Sequence, residues 1–171
     1  MLLYILLIAV ILFLLFLLSM IWPPDSPWAP WWRTNSKTAK AICRLAKINK
    51  KDIVYDLGCG DGEVLMQSAK LGASGVGIEI DLSRAFIAKL RVLKNNFQNK
   101  IYIKRINFFD VDISKASVVI VYLVPKTLDK LLPKFKKELK PGVRVVSYKY
   151  EITLPLIAYD KRNDIRVYRI S

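Results

Sequence analysis

The sequence predicts an α/β fold: a seven-stranded mixed sheet with helices on both faces, preceded by one N-terminal transmembrane helix. Three observations predict it. The first 22 residues carry no charged side chain. A strand, a glycine-rich turn and a helix follow one another over residues 53–71. Beyond that point, short apolar runs alternate with amphipathic segments, which is the pattern of sheets built from strand–helix–strand units.

The N-terminal segment, residues 1–22, predicts a membrane anchor. As a helix it is about 30 Å long, enough to cross a hydrocarbon core. A signal peptide is the alternative, but the segment has no basic start and no small-residue cleavage site. All 28 Lys and Arg residues and 13 of the 14 acidic residues follow Trp32. Residues 33–171 therefore carry a net charge of +15. We therefore expect a single-pass membrane protein with its basic domain on the cytoplasmic side, against anionic lipid headgroups.

A short linker and the start of the main domain follow. Residues 23–34 hold four prolines and three tryptophans, which favour an interfacial linker, although the tryptophans could equally line the rim of a site. The main domain is predicted over residues 35–171. Its first helix is expected over residues 35–47, with Ser36 as N-cap and polar groups at residues 34–36 within reach of a ligand.

The glycine-rich turn is the most informative feature of the sequence. A buried strand over residues 53–57 is followed by Gly58, Gly60 and Gly62, and then by a helix over residues 63–71. Such a turn brings backbone N–H groups up to a ligand, although an ordinary glycine turn is the alternative. The spacing differs from the dinucleotide fingerprint, and no Gly-Lys-Ser/Thr follows, which excludes a P-loop. We expect Asp56, two residues before Gly58, to organise the turn.

A second strand is predicted over residues 74–79, and it ends on Glu79. An acidic residue at this place in a strand–helix–strand unit accepts hydrogen bonds from a ribose diol. A solvated glutamate at a strand end is the alternative interpretation. The next helix is expected to start at Asp81, with Ser83 as N-cap, and to bury an apolar stripe: Phe86, Leu90 and Leu93, with Ile87 beside it.

The remaining elements complete the predicted sheet. A third strand over residues 100–106 leads to Asn107 and Phe108, a polar and an aromatic residue that suit an adenine ring. A fourth, almost wholly apolar strand over residues 117–122 leads to Tyr122 and Pro125. The last elements are a helix over residues 126–139, a strand over residues 143–148, and a hairpin over residues 154–170 that turns at residues 161–164.

Composition excludes several kinds of chemistry. The chain has no His, so a catalytic triad with His and a histidine general base are excluded. The two cysteines, Cys43 and Cys59, form no disulfide framework, and without His we expect no metal site. The strong positive charge fits a membrane surface, nucleic acid or an acidic protein, but no aromatic-interleaved basic motif of an RNA-binding module is evident.

Several segments resemble one family, the small membrane-anchored class I methyltransferases related to the mitochondrial protein-lysine methyltransferases. Those enzymes act on the adenine nucleotide carrier and on the c subunit of ATP synthase. The resemblance lies in the anchor with its Pro/Trp linker and in residues 56–62, 77–81, 107–114, 121–125 and 138–147. It implies a Rossmann-like seven-stranded fold and the cofactor S-adenosyl-L-methionine (SAM). At position 63 relatives tend to have Arg where this chain has Glu63, and the domain lacks the insertions of larger relatives.

The resemblance also implies roles for particular residues. The cofactor-binding set is Asp56, Leu57, Gly58, Cys59, Gly60, Asp61, Gly62, Glu79, Ile80, Asn107 and Phe108. Within it, the glycine turn approaches the amino-acid end of SAM, Glu79 holds the ribose, and Asn107 with Phe108 holds the adenine. Tyr122 and Pro125 are expected to position the methyl acceptor, although Tyr122 could equally be a plain core aromatic.

The expected function is transfer of methyl groups from SAM to a lysine of a protein at or in the membrane. RNA methylation is the alternative that the positive charge favours. A lipid or quinone methyltransferase would also suit a membrane location. A non-enzymatic alternative is a membrane protein that binds SAM without catalysing transfer, and it would show the same cofactor motifs.

Overall fold

A computed structural model describes residues 1–21 and 32–171. Its helices are α1 (Leu2–Ile21), α2 (Ser36–Leu45), α3 (Glu63–Lys70), α4 (Leu82–Lys94) and α5 (Pro125–Glu138). Its strands are β1 (Ile53–Leu57), β2 (Ser74–Glu79), β3 (Ile101–Arg105), β4 (Val118–Val121), β5 (Arg144–Tyr148), β6 (Leu156–Asp160) and β7 (Ile165–Arg169). One turn of 3₁₀-helix, Phe108–Asp110, lies between β3 and β4.

The strands form one mixed sheet, as the sequence predicts. Their order is β3-β2-β1-β4-β5-β7-β6. The first five strands pair in parallel, whereas β7 runs antiparallel to both β5 and β6. Because the chain leaves β1 toward β2 on one side and returns to β4 on the other, a crevice opens at the carboxyl ends of β1 and β4. Open α/β sheets bind ligands at such a switch point.

Helices cover both faces of the sheet, and each face has its own apolar core. One core packs α2 and α3 against inward side chains of β1, β4, β5 and β7, with Leu65 and Ile42 fully buried. The other packs α5 on the opposite face, with Leu131 and Phe135 fully buried. Burying both faces explains why β4 is apolar at every position.

Two helix N-caps differ from the predicted ones. Asn35 caps α2, because its side chain accepts a hydrogen bond from the Thr38 N–H at 2.9 Å. Asp81 caps α4 in the same way, through the Arg84 N–H at 2.8 Å. Ser36 and Ser83 were expected in these roles. In both helices the cap is a neighbouring residue with an Asx side chain, which is an equally good N-cap.

The predicted buried stripe of α4 was wrong. Phe86, Leu90 and Leu93 are 49–60% exposed. The face of α4 turned to the protein instead carries Arg84, Ala85, Ala88 and Val92. On this face Ala88 packs against the glycine turn, since a Cβ built at Gly62 would lie 3.6 Å from the Ala88 Cβ. Because these four residues occupy the inward face, the helical period places Phe86, Leu90 and Leu93 on the outward face.

The N-terminal helix α1 is uncharged, and its described side chains, up to Leu18, are exposed. Among the residues that the structure describes, no helix combines the length and the apolar character needed to span a membrane. The structure therefore gives no support to the predicted transmembrane helix over residues 1–22. Residues 22–31, which include most of the predicted linker, lie outside the described residues.

Candidate functional site

A pocket lies at the carboxyl ends of β1, β2 and β4, where the sheet topology predicts a ligand site. Of the predicted site residues it brings together Asp56, Gly58, Cys59, Gly60, Asp61, Glu79, Ile80, Phe108 and Tyr122. Its other lining residues are Trp32, Thr34, Ile42, Glu63, Val64, Arg84, Ile120, Leu123 and Tyr148. The glycine turn forms one wall, and the ends of β4 and β5 form another.

The glycine turn has the left-handed backbone that its sequence requires. Gly58, Gly60 and Gly62 have φ angles of 80°, 53° and 77°, a region that disfavours any residue with a Cβ. The N–H groups of Gly58 and Cys59 both donate to the Ile78 carbonyl, at 2.8 and 3.1 Å. The turn is therefore fixed to the end of β2, and it leads directly into the N-terminus of α3.

Glu79 holds the turn from the other side. Its Oε2 accepts a hydrogen bond from the Gly60 N–H at 2.9 Å, and its Oε1 accepts one from the Asp81 N–H at 3.0 Å. The side chain is only 4% exposed, and this burial raises the pKa of its carboxyl group. Each carboxylate oxygen keeps capacity for a further hydrogen bond, so Glu79 can hold the turn and still accept from a ribose diol.

Two further acids line the pocket. Asp56 and Asp61 are both buried. Burial, followed by repulsion from Glu79 and then from Asp61, raises the pKa of Asp56 to about 7. Asp56 lines the pocket, and its expected part in organising the turn stays a prediction. A cationic ligand would relieve the repulsion between these carboxylates.

Arg91 of α4 joins the turn to α3, a link that sequence reasoning missed. Its guanidinium binds Asp61 at Oδ2, 2.6 Å away, and donates to the Asp61 carbonyl at 2.9 Å. The same side chain forms an ion pair with Glu63, which also accepts from Gln67 at 2.8 Å. Burial acts to raise the pKa of Glu63, but Arg91 and Gln67 outweigh it and leave that pKa lowered. Glu63 thus has a structural partner within the chain.

Four predicted residues lie outside the pocket lining. Leu57 points into the core of the α5 face, and Gly62 is the N-cap of α3. Asn107 caps the 3₁₀ turn, because its Oδ1 accepts from the Phe109 N–H at 3.1 Å. Pro125 occupies the first turn of α5. Phe108 lines the pocket beside Glu79 and Ile80 and offers a ring face there.

Tyr122 and Tyr148 line the pocket, and with Tyr150, whose ring lies near that of Tyr122, they form a group called here the tyrosine cluster. The Tyr122 ring lies 4.5 Å from the Tyr148 ring, tilted by 56°, and 6.4 Å from the Tyr150 ring, at an angle of 26°. The Lys149 Nζ lies 5.8 and 5.7 Å from the ring centres of Tyr122 and Tyr148. Only Tyr122 was predicted, because the other members depend on β5 lying beside β4.

A family model described as "ANTKMT methyltransferase domain" matches residues 56–154, which include the turn, Glu79 and the tyrosine cluster. The chain belongs to this family. The predicted resemblance to class I SAM-dependent methyltransferases is thereby confirmed. The methyltransferase activity and the SAM cofactor expected from the sequence are confirmed at the level of the family.

Individual relatives agree with this assignment. A protein-lysine N-methyltransferase of Saccharolobus islandicus is 42% identical over 128 residues, covering 74% of this chain and 80% of the relative. The lysine N-methyltransferase of the ATP synthase c subunit in Caenorhabditis elegans is 23% identical over 69% of this chain, which spans 62% of its length. Among solved structures, an RNA methyltransferase from Salinibacter ruber in complex with S-adenosyl-L-homocysteine is similar, with a TM-score of 0.73 and 31% identity. That match covers 81% of this chain and 92% of the other.

The residues of the pocket fit SAM. The left-handed glycines leave the backbone of the turn bare, so a ligand can approach it closely. Glu79 is a rigid acceptor for a ribose, and Phe108 offers a ring face for a base. SAM carries a sulfonium and an ammonium group, and both suit a pocket lined by Asp56, Asp61 and Glu79. When bound, SAM supplies an electrophilic methyl group.

Proposed function

We propose that the chain transfers methyl groups from SAM to lysine side chains of a protein. The observation that carries this proposal is the aromatic wall at the end of β4 and β5. Tyr122 and Tyr148 line the pocket opposite the glycine turn, so an acceptor that enters there meets ring faces. An extended side chain that ends in an amine suits such a surface. The 42% identical protein-lysine N-methyltransferase of Saccharolobus islandicus supports the same acceptor.

The residues of the chain would act by positioning rather than by acid–base chemistry. The sulfonium methyl is already a strong electrophile, so holding the amine in line with it supplies much of the rate. The glycine turn and Glu79 fix one partner, and the tyrosine cluster fixes the other. The acceptor lysine must lose its proton before its amine attacks the methyl group. With no His in the chain, its proton leaves to water or to a carboxylate.

Labelling with radioactive SAM tests the acceptor class. The full chain is incubated with native membranes, and the label is followed through separate digests with protease and RNase and through extraction with organic solvent. Protease-sensitive, RNase-resistant label supports the proposal. Label that protease does not remove but that extracts into solvent would indicate a lipid or quinone. Gly60→Val, which disrupts the glycine turn, serves as the control that should give no label.

RNA methylation is the second candidate, and two observations favour it. The similar structure from Salinibacter ruber is that of an RNA methyltransferase, and the chain has a net charge of +14. A basic surface binds phosphate backbones without regard to sequence. In the labelling experiment, RNase-sensitive label would support this candidate and contradict the lysine proposal.

We also propose that the enzyme works at a membrane, attached through α1, with its basic domain on the cytoplasmic side. Three features support this location. Helix α1 has no charged residue and exposes its described side chains. Leu82, Phe86, Leu90 and Leu93 form an exposed apolar row on α4. The net charge of the domain would draw it toward anionic lipids.

Vesicle binding tests this location. The full chain should cosediment with vesicles that contain phosphatidylglycerol, and deletion of residues 1–22 should weaken binding. Phe86→Glu combined with Leu90→Glu should weaken it further, while Tyr102→Glu on the exposed side of β3 serves as the matched control. Binding that is unchanged by both alterations would contradict attachment through these surfaces. Protease protection of the domain in inverted membranes would contradict the cytoplasmic side.

A further inference from the structure

The tyrosine cluster is held in place by a fixed turn at the end of β5. The Ser147 hydroxyl, fully buried, donates to the Tyr150 carbonyl at 2.5 Å. The Lys149 N–H donates to the Asp164 carbonyl at 2.8 Å, and Arg166 donates to the Lys149 carbonyl at 3.1 Å. The backbone between Tyr148 and Tyr150 is therefore fixed on both sides, by β5 and by the start of β7.

Within this turn, Lys149 adopts a conformation that lysine rarely takes. Its φ angle is 70°, in the left-handed region where a residue with a Cβ is strained. Strain of this kind is maintained only where the surrounding contacts enforce it, and it is common at functional sites. Here its result is visible, since the Lys149 ammonium lies over the faces of Tyr122 and Tyr148, at 5.8 and 5.7 Å. Both distances fall within the range of cation–π attraction, about 6 Å.

We propose that the tyrosine cluster is a binding site for the ammonium group of the acceptor lysine, and that Lys149 occupies this site in the free enzyme and leaves it when the acceptor enters. The inference rests on the proposed function for the identity of the acceptor. A lysine ammonium already seated on the rings shows that the surface accepts this group. Lys149 is itself exposed, so its side chain can swing into solvent without opening the core.

Lys149 is a resident occupant rather than a methyl acceptor. The neighbouring Tyr122 side chain raises the pKa of the Lys149 ammonium. A protonated amine has no lone pair with which to attack a methyl group. The same contact that seats Lys149 on the rings therefore keeps it unreactive.

Binding of a charged probe that cannot be methylated tests the inference without any turnover. The probe is Nα-acetyl-Nε-trimethyl-lysine methylamide, titrated into the full chain in detergent with S-adenosyl-L-homocysteine present. Lys149→Met should bind it about 2- to 5-fold more tightly than the unaltered chain, because a weak cation–π competitor has been removed. Lys149→Arg should bind it like the unaltered chain, and Tyr150→Leu should bind it more weakly. Lys161→Met, in the hairpin between β6 and β7, removes the same charge elsewhere and should change nothing.

A second measurement reports on the occupant itself. In the unaltered chain, ring currents should shift the NMR signals of the Lys149 ε-methylene protons upfield, and the probe should return them toward solvent values. Probe binding that is equal in Lys149→Met and the unaltered chain, no probe binding at all, or unshifted Lys149 signals would each overturn the inference. Because the probe takes no methyl group, its binding is measured independently of the labelling experiment. RNase-sensitive label in that experiment would refute the proposed function but not the binding of an ammonium group by the tyrosine cluster.

Discussion

Glu79 and Gly60 are joined by a hydrogen bond of 2.9 Å between a buried carboxylate and the central N–H of the glycine turn. This bond links the end of β2 to the segment that lines the cofactor pocket. The same carboxylate also accepts from Asp81, at the N-cap of α4. The Glu79 side chain therefore fixes the turn and the following helix relative to each other. A ligand that binds Glu79 is coupled to the positions of both.

Glu79→Ala should abolish most SAM binding. It removes the acceptor for the ribose and also frees the turn, so we expect affinity to fall at least about 10-fold, which corresponds to roughly 1.4 kcal/mol. Titration calorimetry with S-adenosyl-L-homocysteine measures this. Asp129→Ala, which removes one exposed carboxylate from α5, is the control and should bind normally. Equal affinities in the two variants would mean that Glu79 does not contact the cofactor.

Cofactor affinity should rise with pH around neutrality. The Asp56 pKa lies at about 7 in the free protein, and a cationic cofactor favours the ionised carboxylate. If only that form binds, SAM affinity increases up to about 10-fold between pH 6 and 8. Calorimetry across this range should show the increase for the unaltered chain and a flat profile for Asp56→Asn. A profile of equal slope in both would assign the titration to another group.

Stability of the free protein should change with pH in the opposite direction. The folded-state pKa of Asp56 is raised above its ordinary value of 3.8. Its contribution to stability is therefore complete below pH 3.8 and is lost as pH rises through about 7. The Tm of Asp56→Asn should therefore lie close to that of the unaltered chain at pH 5 and above it at pH 8. Thermal melts at the two pH values measure this difference.

Arg91→Met should destabilise the domain by about 1–3 kcal/mol, because it leaves Asp61 and Glu63 buried without their shared cation. The lowered pKa of Glu63 means that this contribution is present at neutral pH and fades as pH falls through the folded-state pKa. Urea melts should therefore show a larger loss at pH 7 than at pH 4. The double variant Arg91→Met/Glu63→Gln should recover part of the loss. No recovery would show that the ion pair is not the cause.

Tyr122→Leu should slow methyl transfer without weakening cofactor binding. Loss of the ring misplaces the acceptor, and we expect kcat to fall about 10- to 100-fold. Tyr122→Phe keeps the ring face and should stay within about threefold of the unaltered enzyme if the face, rather than the hydroxyl, positions the amine. Single-turnover assays with a protein substrate separate the two steps. Equal losses in both variants would instead assign the role to the hydroxyl.

Much of the fold could be predicted from the sequence because local patterns determine it. The strands β1 and β2 have their predicted bounds, since each is an apolar run that ends at a turn or an acid. The exposed stripe of α4 could not be predicted in the same way. Hydrophobic periodicity identifies a helix face but not what that face meets. Here Ala88 lies against Gly62, and the helical period then places Phe86 and Leu90 on the outward face.

Of the candidate site, the sequence predicts the cofactor side but not the side formed by β5 and α4. The glycine turn and Glu79 belong to a contiguous strand–helix–strand unit, so spacing alone brings them together. Tyr148 and Arg91 reach the site from elements distant in sequence, and their positions depend on the strand order and on the docking of α4. Tyr148 ends the strand β5 and Lys149 follows it, and nothing in the local sequence indicates that they meet Tyr122.

Methylation of protein lysine side chains by this chain is tested most directly by one measurement. Protein labelled with radioactive SAM by the full chain is hydrolysed to amino acids and separated against methyl-lysine standards. We expect radioactivity that coelutes with mono-, di- or trimethyl-lysine and is absent when Glu79→Ala replaces the unaltered enzyme. Radioactivity recovered only in methylated nucleosides, or in no amino acid, would contradict lysine methylation.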